Sequence, residues 1–62
     1  MSIETLLTQD KAERMTLQQL LGEAARCQNG IEHAANAKSK KRFEVRLAIF
    51  LAEISKREGR GE

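Results

Sequence analysis

The chain has 62 residues, 11 basic and 9 acidic side chains, a net charge of +2, one cysteine and no proline. That length allows one domain at most, residues 1–62, and a chain of this size buries only about 60% of the surface its unfolded form exposes, so the fold is marginal alone. The lone Cys27 excludes an intrachain disulfide and a cysteine-rich zinc site, no run approaches the roughly 18–20 apolar residues of a membrane span, and +2 is too small to argue for nucleic acid by itself.

Met1 to Leu7 has no positively charged leader and carries Glu4 inside its apolar run, which argues against a signal peptide. A single thiol fits a reducing compartment. Together these predict a soluble, cytoplasmic protein. Ile3, Leu6 and Leu7 predict a short helix or arm over residues 1–14, packing onto the rest of the chain or onto its partner. Strand-type alternation is absent and good helix formers dominate, so the class is all-α.

The first strong helix start is Thr16. Thr16 with Gln19 fits a capping box, in which each side chain satisfies an orphan backbone N–H. Met15 and Leu20 take the two positions of a hydrophobic staple. Leu17, Leu20, Leu21, Ala24, Cys27, Ile31, Ala34 and Ala35 then recur in steps of three and four, one stripe on one helical face. Asn29-Gly30 is a common stop signal, yet the stripe continues in phase across it. The reading is a continuous helix one over 16–36, weakened or kinked at Gly30, with a turn at Asn29-Gly30 as the alternative.

Asn36 to Ser39 forms the break, with Asn36 as a helix end and Ser39 as the next N-cap. Helix two is expected over 39–57, with Gly59 and Gly61 ending it and residues 58–62 frayed. Phe43, Leu47, Phe50, Leu51 and Ile54 form its main stripe; Val45, Ala48, Ile49 and Ala52 widen it. Glu53, Lys56 and Arg57 are assigned to its remaining surface.

Two helices of similar length and a short connection predict an antiparallel helical hairpin. Helix two is apolar over more than half its circumference, more than one facing helix covers. The expected interface and core set is Leu17, Leu20, Leu21, Ala24 and Ile31 facing Phe43, Leu47, Phe50, Leu51 and Ile54. A homodimer bundle or a host-protein partner would close the open face. The competing arrangement folds residues 1–14 over that face as a three-helix monomer.

Residues 1–13 carry Glu4, Asp10 and Glu13 against Lys11, while Lys38, Lys40, Lys41, Arg42 and Arg46 stand against Glu44 alone. Basic residues at a helix start oppose its dipole. They are therefore a candidate contact for nucleic acid or an acidic partner, set against the plainer reading of a solubilising turn. A helix-turn-helix with Leu20–Gln28, a turn at Asn29-Gly30 and Ile31–Lys38 as recognition helix is the sharper nucleic-acid form; that last helix is largely alanine. His33 lacks a second ligand at helical spacing, so no metal is expected. Cys27 reads as a small buried hydrophobe. With one His and one Cys on the same short helix and little room for a pocket, no catalytic set, cofactor or small-molecule substrate is expected.

The opening Met1-Ser2-Ile3-Glu4-Thr5-Leu6-Leu7, the compact length and the leucine/alanine pattern from Met15 to Lys56 resemble small early proteins of the exo–xis region of lambdoid bacteriophages. The resemblance implies a helical phage protein made in the bacterial cytoplasm, non-enzymatic, acting on host or phage development through protein contacts. The hairpin-dimer architecture is also similar to that of the plasmid copy-number regulator Rop. No Rop sequence motif is present, so its RNA-binding role does not carry over.

Overall fold

The computed structural model describes residues 3–59. It holds three helices, α1 (Ile3–Arg14), α2 (Leu17–Glu32) and α3 (Ala37–Gly59), and no strand among the described residues. Both α1 and α2 pack on α3.

The joint between α1 and α2 is set locally. The Met15 backbone N–H donates to the Ala12 carbonyl at 3.2 Å. Thr16 then opens α2 with both arms of the capping box: Gln19 N–H donates to Thr16 Oγ1 at 3.2 Å, and Thr16 N–H to Gln19 Oε1 at 3.0 Å. These bonds satisfy donors that a helix start otherwise leaves orphaned.

α2 runs unbroken through Asn29 and Gly30, so the turn placed there does not form. Gly30 is required by packing. A Cβ on it would lie 2.7–2.8 Å from the ring atoms of Phe43, so the aromatic ring rests directly on the α2 backbone. Gly30→Ala gains about 1 kcal/mol of helix propensity and loses about 1–3 kcal/mol by displacing the ring. The expected net effect is destabilisation, read as a lower urea midpoint. In a Phe43→Ala background the same change should stabilise; stabilisation in both backgrounds would refute the contact.

Two boundaries differ from the sequence expectation. Helix one was expected to reach residue 36, but α2 ends at Glu32. His33 closes it: its backbone N–H donates to the Asn29 carbonyl at 3.1 Å, and its ring Nδ1 lies 2.9 Å from the same oxygen. Ala34 and Ala35 offer too little apolar area to hold a further turn. The N-cap of α3 is Asn36, not Ser39. Asn36 Oδ1 accepts the Ser39 N–H at 2.9 Å and its carbonyl accepts Lys40 N–H at 3.1 Å. An asparagine side chain serves either helix end, and here it starts the next helix. α3 also extends past residue 57 to include Glu58 and Gly59. The rest of the tail, residues 60–62, lies outside the described residues, as do Met1 and Ser2.

The buried apolar cluster is Ala12, Leu20, Ala24, Cys27, Phe50 and Ile54, with Met15, Leu17, Leu47 and Ile49 packed at its edge. α1 contributes little to it beyond Ala12. Its inward positions Thr5, Thr8, Gln9 and Ala12 recur at three, one and three, while Ile3, Leu6 and Leu7 stand 73%, 51% and 62% exposed. The packing of Ile3, Leu6 and Leu7 onto the rest of the chain, expected from the sequence, is therefore not formed. Polar ties hold α1 instead. Arg42 Nη2 reaches Glu4 Oε1 at 3.4 Å near its start, and Arg57 binds its last turn.

Candidate functional site

Arg57 organises the far end of the molecule. Its Nε donates to Glu53 Oε1 at 3.0 Å, and its Nη2 donates to the carbonyls of Ala12 and Glu13, each at 3.1 Å. Those carbonyls sit in the last turn of α1, where helix carbonyls have no intrahelical partner. A cation there also meets the negative end of the α1 dipole. Glu53 and Arg57 are both buried, which corrects their assignment to the surface. Their i, i+4 spacing was visible in the sequence, but so ordinary a surface pattern does not announce burial. No buried side-chain polar atom lacks a partner among the described residues. A cleft of about 280 Å³ lies beside the cluster, lined by Gln9, Ala12, Glu13, Ile49, Ala52 and Glu53.

Successive helical positions are about 100° apart, which sets Lys38, Lys41, Arg42 and Arg46 within an arc of about 140° and Lys40 on the other side of α3. All five are exposed. Arg42 and Arg46, with Lys41, line a cleft of about 170 Å³ against Glu4, Thr5 and Thr8 of α1, floored by Val45 and Ile49. Glu4 already engages Arg42 there. A second cleft of about 350 Å³ lies where the three helices approach, with Lys11, Arg26 and Arg46 around Glu23, Phe43 and Phe50. Arg26 is paired with Glu23 at 3.5 Å. Thr8 and Cys27 complete the lining of the second cleft.

Cys27 is buried beside the second cleft. Burial pushes its thiol above the ordinary value of 9.0; Glu23 adds to the rise and Arg46 opposes it. The folded thiol therefore keeps its proton to higher pH than the unfolded one, and stability should fall as pH rises past 9.0. Between about pH 8 and 10, the urea midpoint of the wild type should drop more than that of Cys27→Ala. Equal drops would show that the thiol does not carry the effect. His33 is exposed and occupied with the α2 terminus. No group of three or more metal-ligating side chains occurs among the described residues, and no helix is long and apolar enough to cross a membrane.

The expected interface and core residues divide in three. Leu20, Ala24, Phe50 and Ile54 are buried within the chain; Leu17, Ile31, Phe43 and Leu47 are half-buried. Leu21 and Leu51 remain 53% and 46% exposed, so they are not core. Phe50 is only 3% exposed, so replacing it with Asp would disrupt the fold before any assembly.

No protein-family model, curated protein or solved structure matches this chain.

Proposed function

We propose that this chain is a non-enzymatic interaction module: an antiparallel α2–α3 hairpin braced by α1, which binds another protein through apolar side chains its own fold leaves uncovered. The observation that carries this reading is the balance of apolar surface. Ile3, Leu6, Leu7, Leu21, Val45 and Leu51 are exposed, as many large apolar side chains as there are residues in the buried cluster. Exposed apolar residues that share a face mark an interaction site, and Ile3, Leu6 and Leu7 share one on α1 at helical spacing. Self-association into a helical bundle and contact with a host protein both fall within the reading. The resemblance to exo–xis early proteins supports a phage origin, the host cytoplasm as compartment and a regulatory role. Binding of nucleic acid has less support, because Arg42 is engaged by Glu4 and Lys40 stands apart from the other basic residues.

The test uses thiol accessibility. In a Cys27→Ser background, Leu7→Cys and Leu51→Cys place one reactive thiol on each apolar face. In cells where the gene is native, at least one should label more slowly than in dilute purified protein. Equal labelling rates at both positions in the two settings would reject the module.

A further inference from the structure

α1 leaves one side of the α2–α3 pair open. It lies against Val45, Ile49, Ala52 and Glu53 of α3. Positions 49 and 51, two apart, face nearly opposite sides of a helix, so Leu51 is on the side that α1 does not reach. That side carries a row at alternating spacings of four and three: Lys40, Glu44, Leu47, Leu51, Ile54 and Glu58. α2 carries a second such row, Leu17, Leu21, Ala24, Gln28 and Ile31. This is the repeat by which helices supercoil around one another. Ile54 and Ala24 are consumed by the internal core, whereas Leu51 and Leu21 are half in water.

The charges at the ends of the α3 row are of opposite sign. Lys40 and Glu58 are exposed, and neither has an ion-pair partner among the described residues. A row with Lys at one end, Glu at the other and two leucines at its centre is complementary to its own reverse at four of its six positions, the other two setting Glu44 opposite Ile54, which is turned into the monomer core. Turned end for end about position 49, Lys40 meets Glu58 of a second copy, Leu47 meets its Leu51, and both contacts repeat by symmetry. On α2 the same operation brings Leu17 opposite Ile31 of the second copy, both half-buried in the monomer.

We propose that the open side of α2 and α3, centred on Leu47 and Leu51, is the interface of a two-fold homodimer in which the α3 helices lie antiparallel with Lys40 of each copy paired to Glu58 of the other. This rests on the hairpin and interaction reading above, and it commits that reading's partner to a second copy. α1 stays outside the four-helix core, on the far flank of each α3.

Sedimentation equilibrium from about 5 μM to about 0.5 mM tests it on the intact chain. The wild type should sediment with the mass of two chains. Lys40→Glu and Glu58→Lys should each weaken the dimer about tenfold, since each sets two like-charged pairs face to face, and combining them should restore it. Leu51→Asp should be monomeric with unchanged helical circular dichroism, because the residue is not part of the monomer core. A wild-type monomer throughout, a dimer indifferent to Leu51→Asp, or a double charge swap that fails to rescue would each overturn the proposal. A wild-type monomer whose Leu51→Cys thiol is still protected in the cell would overturn the second copy alone and leave the interaction module standing.

Discussion

Arg57→Ala is expected to be among the most damaging single changes in this protein, costing about 3–5 kcal/mol, the usual penalty for leaving a buried charge without its partner. Total stability at this length is about 3–9 kcal/mol on the ordinary per-residue scale, so the variant should be largely unfolded near 37 °C. The loss has two separable parts. Glu53 keeps a buried carboxylate with no counter-charge, and the Ala12 and Glu13 carbonyls lose the guanidinium that closes α1. Glu53→Leu combined with Arg57→Met should recover much of the first part, since an apolar pair can replace a buried ion pair. It cannot recover the second. Hydrogen exchange should therefore show α1 amides unprotected in the double variant while α2 and α3 stay protected. An Arg57→Ala variant within about 0.5 kcal/mol of wild type, the range of ordinary surface changes, would refute the buried tie.

Leu20→Ala should cost about 2–5 kcal/mol, the range for truncating a leucine in a packed core. Leu20 is fully buried, and no other large side chain is covered as completely among the described residues. Its sequence neighbour Leu21 is 53% exposed. Leu21→Ala, measured in dilute solution where association is negligible, should fall within about 0.5 kcal/mol of wild type. Thermal melts of the two variants side by side make the comparison. Equal losses would mean that Leu21 is also enclosed within the monomer.

Leu20 and Leu21 also mark how far a sequence reading reaches. Both belong to an apolar stripe of steps three and four, and a stripe that wide has a centre and two flanks. Periodicity shows that the stripe exists. Which flank is covered depends on where α3 and α1 lie, and no local pattern encodes that. The same limit applies to the basic run: its charge is visible in the sequence, but the engagement of Arg42 by Glu4 depends on where α1 docks.

What the sequence by itself determined is local. All-α character, the Thr16 capping box, the continuity of the helix through Asn29 and the stripe containing Leu20, Ala24, Phe50 and Ile54 all follow from interactions within a turn or two of chain. The tertiary structure decided the rest. Gly30 reads as a weakness until Phe43 is seen lying on it. Glu53 and Arg57 read as a surface pair until α1 brings two carbonyls to the guanidinium. Ile3, Leu6 and Leu7 read as a face seeking the core, yet α1 docks by its polar side, held by Arg42 and Arg57. The physical reason is common to all three. Packing contacts, hydrogen bonds and charges between elements distant in sequence find their partners only when the helices meet.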